Sequence, residues 1–84
     1  MKPLRLSAHA RDNMIHRGAT EDEIADAIQT AAWSPAERGR FECRKDFPYN
    51  RDWNGRTYAT KAVRPIFAQD SDEIVVVTVY VYYF

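Results

Sequence analysis

Eighty-four residues with twelve basic and twelve acidic side chains make a one-domain chain of formal net charge +0. That balance excludes the strongly basic class of nonspecific nucleic-acid binders, and the single cysteine, Cys43, excludes an internal disulfide. No apolar run approaches the ~20 residues of a membrane helix and no secretory leader is evident, so the expected setting is the reducing cytoplasm, with no membrane partner.

The chain opens on Pro3 and Leu4-Arg5-Leu6, which read as a short extended lead-in or a small edge strand. Ser7 is a good N-cap, and a first helix should run from Ala8 to Arg17 and stop at Gly18. Arg17 suits the negative end of the helix dipole, and Gly18 suits a left-handed position beyond the helix end. Leu6, Ala10 and Met14, spaced four apart, mark its buried face. Thr20-Glu21-Asp22-Glu23 is a capping box that starts a second helix. Ile24, Ala27, Ile28 and Ala31 give that helix an apolar stripe, and Pro35 predicts an end near Ala32 or Trp33.

Residues 34–39 read as a loop and Phe41 to Phe47 as a strand, with Phe41, Cys43 and Phe47 on one face and Glu42, Arg44 and Asp46 on the other. Pro48 to Gly55 reads as a turn region, with Asn54-Gly55 as a hairpin signal. A second strand spans Arg56 to Ala68, Asp70-Ser71-Asp72 turns the chain, and a third, central strand spans Glu73 to Phe84. The expected fold is α+β: two N-terminal helices packed on one face of a three- to four-stranded antiparallel sheet.

A turn centred on Ser71 pairs residues whose numbers sum to about 142. Val75, Val77, Val79 and Val81 then share the helix side with Phe67, Val63 and Lys61. Thr78, Tyr80 and Tyr82 share the open side with Arg64, Ala62, Thr60 and Tyr58. Pro65 predicts an edge position or a bulge, and a bulge there turns Lys61 onto the Tyr80 side.

Charge is uneven along the chain: residues 38–64 hold eight basic and three acidic groups, and residues 21–37 hold five acidic groups and no basic one. Arg64 among Tyr80 and Tyr82, with Lys61 and Arg44, combines cations that neutralise phosphate with rings that stack on bases. The same mixture also typifies protein interfaces. His9 suits either a proton-transfer role or a structural one, partly buried and bonded to a backbone carbonyl. His9 and His16 lie ~10.5 Å apart along a helix, too far to share a zinc without further ligands. No metal and no cofactor are expected.

His9-Ala10, Met14, Arg17-Gly18 and the acidic start Thr20-Glu21-Asp22-Glu23-Ile24 form an opening that resembles the domain-of-unknown-function family 4258 and, more distantly, the BrnT toxins, both placed with RelE/ParE-like toxins. Asn13 stands where these families often carry arginine. The resemblance implies a RelE-like fold and a metal-independent endoribonuclease of the type II toxin kind, acting on RNA or on the ribosome and neutralised by an antitoxin protein. It implies catalytic roles for Lys61, Arg64 and Tyr80, with His9 as a further candidate. RNA contacts fall to Arg17, Arg44 and Tyr82. The alternative is a noncatalytic protein-binding or homodimeric module of the same fold.

Overall fold

The computed structural model describes residues 1–84. Strand β1 (Leu4–Leu6) leads into helix α1 (Ala8–Arg17) and helix α2 (Glu21–Thr30), followed by β2 (Ser34–Pro35), a 3₁₀ turn (Glu37–Gly39), β3 (Phe41–Glu42), β4 (Lys45–Trp53), β5 (Arg56–Gln69) and β6 (Ile74–Tyr83). The α+β expectation holds, but the sheet has six strands rather than three or four. Its order is β1-β6-β5-β3-β2, with β4 also paired to β5. Only β1 runs parallel to its neighbour; the other pairings are antiparallel.

The helix ends follow local chemistry. Ser7 Oγ accepts from the Ala10 amide at 3.0 Å, and Gly18 takes the left-handed conformation at φ 82°. Thr20 and Glu23 form the reciprocal capping box, with Glu23 N to Thr20 Oγ1 at 3.1 Å and Thr20 N to Glu23 Oε1 at 2.9 Å. Helix α2 stops at Thr30, earlier than Pro35 alone suggests, because Ala31 is already extended at ψ 154°. The Trp33 indole N–H then donates to the Ile28 carbonyl, satisfying a group the helix end leaves open.

Three strand expectations are corrected. The strand expected over Phe41–Phe47 is broken at Cys43-Arg44, and β4 continues through most of the expected turn region to Trp53. The turn is the two-residue Asn54-Gly55, with φ 51° and 84°, the primed geometry that matches strand twist. A bulge between Pro48 and Arg51, with Asn50 at φ 52°, keeps the long hairpin in register.

The β5–β6 pairing is shifted from the expected register: Arg64 faces Tyr80, Val63 faces Val81 and Phe67 faces Val76. The bulge lies in β6, where Val77 has no partner, and not at Pro65. Ile74 and Val76 therefore fill the core before the bulge and Val79 after it, with Val81 packed against them, in place of the expected Val75 and Val77. Pro65 is tolerated for a different reason. Thr60 and Phe84 exchange both backbone bonds, so by alternation residue 65 turns its backbone away from β6. The N–H it lacks belongs on the side where β3 gives way to β4.

The core lies between the helices and one sheet face: Ala10, Ile24, Ala27 and Ile28 meet Val63, Phe67, Ile74, Val76 and Val79. Past β1, the outer edge of β6 has no strand beside it, and α1 covers it. Ser7 Oγ donates to Val77 O at 3.4 Å, Val79 N donates to Asn13 Oδ1 at 3.3 Å, and Arg17 Nη1 donates to Val79 O at 2.8 Å. Asn13, a buried polar residue, thus satisfies an edge amide that would otherwise be stranded.

Candidate functional site: an arginine–tyrosine cleft

Successive side chains on a strand alternate faces, so the residues of β5 and β6 that avoid the helices form a second surface. There Arg64 lies directly across from Tyr80. Its guanidinium carbon sits 5.3 Å from the Tyr80 ring centre, and Nη1 donates to the Tyr82 hydroxyl at 3.2 Å. Nη2 donates to Glu42 Oε2 at 2.7 Å. The bond to Glu42 first, and that to Tyr82 second, hold the Arg64 pKa above the ordinary arginine value, so this cation is fixed at any physiological pH.

Arg64 and Glu42 form the shared wall of two open cavities. The larger, about 770 Å³, is bordered by Arg38, Arg40, Thr78 and Tyr80. The smaller, about 490 Å³, is bordered by Ser34, Cys43, Arg44 and Tyr82. Arg44 pairs with Asp46 at 3.2 Å and lies over the Tyr82 and Phe84 rings at 5.5 and 5.7 Å. Arg17, arriving from α1, lies 5.3 Å over Tyr80. Of the expected site residues, Arg64, Tyr80, Tyr82, Arg44 and Arg17 are therefore brought together.

Lys61 is not. It points to the helix side, is only 3% exposed, and its ammonium bonds Glu23 Oε2 at 2.8 Å and the Gly18 carbonyl at 2.9 Å. The bulge that would turn it toward Tyr80 is absent, because the extra residue is Val77 on the other strand. His9 is exposed, so it does not pin the helix as a partly buried histidine, and no hydrogen bond joins it to the cleft. Tyr58 also leaves the expected open face. Its ring lies 5.7 Å from Tyr83, in a cluster with Tyr49 and Trp53 beside Gly18.

Arg38 and Arg40 border the larger cavity without having been singled out from the sequence. The signal available was Arg38-Gly39-Arg40 in a loop. Arg38 and Gly39 adopt φ 62° and 70° in succession, a double left-handed turn that aims both arginines' segment at the sheet. No group of three or more His, Cys, Asp or Glu side chains converges as metal ligands, and no helix is long and apolar enough to cross a membrane.

Cys43 borders the smaller cavity but is buried. Burial first, and the Glu42 charge second, push its pKa up to about 11, which leaves it protonated near neutrality. A thiol raised above its ordinary value in the folded state stabilises the fold below the unfolded pKa and loses that contribution as pH climbs through the folded one. Wild-type protein is therefore expected to lose stability between about pH 9 and about 11, and Cys43→Ala to lose less over that window. Parallel urea-denaturation midpoints for the two proteins across those pH values would show that the thiol is not the cause.

The fold and the cleft define a small α+β domain carrying a cation–phenol surface on the sheet face opposite its helices. Comparison with protein-family models, with curated proteins and with solved structures returns no match.

Proposed function

We propose that the chain is an RNA-cleaving domain of the RelE/ParE-like toxin type, working in the cytoplasm and restrained by an antitoxin protein. The observation that carries this reading is the side-by-side placement of Arg64 and Tyr80 in an open, arginine-bordered cleft. The two N-terminal helices on one side of a mainly antiparallel sheet support the RelE-like assignment.

Arg64, with Arg38 and Arg40 near it, neutralises a phosphodiester and the added charge of its five-coordinate transition state. The RNA's own 2′-oxygen attacks the adjacent phosphorus and the bond to the 5′-oxygen breaks. The products are a 2′,3′-cyclic phosphate and a free 5′-hydroxyl. Tyr80, 38% exposed, supplies the proton the leaving oxygen needs, and the Glu42 carboxylate is the base beside Arg64 that takes the proton from the 2′-hydroxyl. Lys61 has no part in this chemistry because the sheet separates it from the cleft.

Expression without a partner is expected to slow growth and fragment cellular RNA. Arg64→Ala is expected to cut the cleavage rate by about 10²-fold, the scale of removing one preorganised charge-stabilising group. Intact RNA and normal growth under wild-type expression would end the ribonuclease reading.

A noncatalytic module is the second reading, and two observations favour it. Arg64 and Arg44 each already hold a carboxylate, and Tyr80, Tyr82 and Phe84 expose 38%, 39% and 54% of their surface. Light scattering separates the cases: a homodimer lost on Tyr82→Ser supports the module, and a monomer at all concentrations removes the homodimer.

A further inference from the structure

The β4–β5 hairpin outruns the rest of the sheet. Pairing with β6 ends where Thr60 meets Phe84, yet β4 and β5 stay paired out to Trp53 and Arg56. The projecting part is a two-stranded ribbon, a form that is marginal in water unless something packs on it. Its helix-side face carries a ring cluster. Tyr49, Trp53 and Tyr58 gather round Tyr83, with ring centres 5.3, 4.8 and 5.7 Å from it, and the cluster meets the corner between α1 and α2 at Gly18. All four residues remain only half-buried.

Charge is divided across this cluster. Toward the hairpin tip stand Arg51 and Arg56, whose guanidinium carbons lie 4.9 Å from the Tyr49 ring centre and 5.8 Å from that of Tyr58. Beyond Gly18 stands the acidic start of α2. There Asp22 adjoins Glu23, whose carboxylate reaches Lys61 beside the Tyr49 ring. Arg51, Arg56 and Asp22 are exposed, and no ion pair within the chain uses any of them. Both signs of charge thus flank the rings and find no partner in their own chain.

We propose that this face of the hairpin end docks a second copy of the chain about a two-fold axis passing through the rings. A two-fold interface has to be complementary to itself. With rings at the axis, cations on one side and a carboxylate on the other, a half turn lays Arg51 and Arg56 of one copy over Asp22 of the other, twice. Aromatic residues at the centre and charge at the rim are the usual anatomy of a protein interface. A nucleic-acid strand would use the arginines but meet Asp22 as a like charge, which favours the second copy as occupant. The inference goes beyond the RNA reading and does not depend on it. Arg64 and Tyr80 lie on the opposite sheet face and stay open in such a dimer, unlike one formed through Tyr82. The patch is small, so association is weak, in the micromolar range.

Sedimentation equilibrium of the full chain from about 5 to about 500 µM tests the dimer. Wild type should pass from monomer to dimer over that range, at higher concentration as salt rises and screens the rim pairs. Arg51→Glu combined with Arg56→Glu should weaken the dimer by at least about tenfold, and so should Asp22→Lys, because each sets like charges opposite one another. The two variants mixed in equal amounts should associate with each other although neither pairs with itself, since one is acidic on both sides of the rings and the other basic on both. That gain cannot arise from misfolding. Tyr82→Ser should leave the dimer unchanged. A wild type that stays monomeric throughout, a dimer indifferent to both reversals, or no association in the mixture overturns the proposal. A dimer lost only on Tyr82→Ser moves the contact to the cleft face and overturns it as well. So does a monomer that binds an oligouridylate through Arg51 and Arg56, which would give this surface to nucleic acid.

Discussion

Glu23→Gln is expected to destabilise the protein by about 3–5 kcal/mol, the cost of breaking a buried ion pair by removing one partner. Glutamine can still reach back to the Thr20 amide, so the capping box survives. What is lost is the charge facing Lys61, whose side chain is only 4% exposed and whose ammonium lies 2.8 Å from Glu23 Oε2. The Gly18 carbonyl at 2.9 Å and the Tyr49 ring at 5.3 Å remain as its neighbours. Neither carries a full negative charge, so the ammonium is left buried and uncompensated. Lys61→Met should cost less. Glu23 is 21% exposed and keeps water and the Thr20 amide as partners. The double variant Glu23→Gln/Lys61→Met should recover much of the loss, because it leaves no buried ammonium without a counter-charge. Urea denaturation of the four proteins reads the coupling. Additive losses would show that the pair contributes nothing as a pair.

Gly18→Ala is the second large effect, about 2–5 kcal/mol, and it has two separable causes. The left-handed backbone at φ 82° costs a residue with a Cβ about 1–2 kcal/mol. The new carbon would also lie 2.5 Å from the Tyr83 hydroxyl and 2.8 Å from the Trp53 ring, an overpacking of about 1–3 kcal/mol. Neither neighbour yields freely. The Tyr83 hydroxyl donates to the Arg17 carbonyl at 2.7 Å, and the Trp53 ring stacks on Tyr83 with centres 4.8 Å apart. Gly18→Asn, tolerant of the backbone but larger, should be no better than alanine. Adding Tyr83→Phe to Gly18→Ala should restore part of the loss by removing the nearest atom. A Gly18→Ala protein melting within a degree or two of wild type would show that the hairpin end gives way easily.

Local chemistry made the helices legible. Ser7, Gly18, Thr20 and Glu23 each act through neighbours three to five positions away, so the sequence carries their partners beside them. The faces of β3 and the start of β4 were legible for the same reason: Phe41, Cys43 and Phe47 do turn to the core, and Glu42, Arg44 and Asp46 do turn away. The register of β5 on β6 was not. It depends on the four residues from Asp70 to Glu73 and on the unpaired Val77, and nothing in a run of valines marks which one is the extra residue. The parity of Arg64 with Tyr80 survived because the shift in register was even beyond the bulge. Lys61 was placed on the helix side by that parity, and only the supposed bulge at Pro65 argued otherwise. Asn13 was read as a departure from a motif, and its role needed the far edge of β6, 66 positions away. Arg38 and Arg40 reach the cleft through two consecutive left-handed residues, of which only the glycine was visible beforehand.

The guarding of β6 by α1 has a cost in how the chain comes apart. Ile74 to Tyr83 has the composition of a self-templating segment: β-branched and aromatic, uncharged, without proline. Beyond Val76, where the pairing with β1 ends, three side chains, those of Ser7, Asn13 and Arg17, stand between its outer backbone and a second copy of itself. Detachment of the first helix alone would bare the edge of β6 beyond its pairing with β1 while the rest of the sheet stayed intact. Partial opening at the N-terminal end thus uncovers a strand edge that the folded chain keeps guarded, and resistance to edge-to-edge growth is set by the segment from Ser7 to Arg17, which lies mostly outside the cleft.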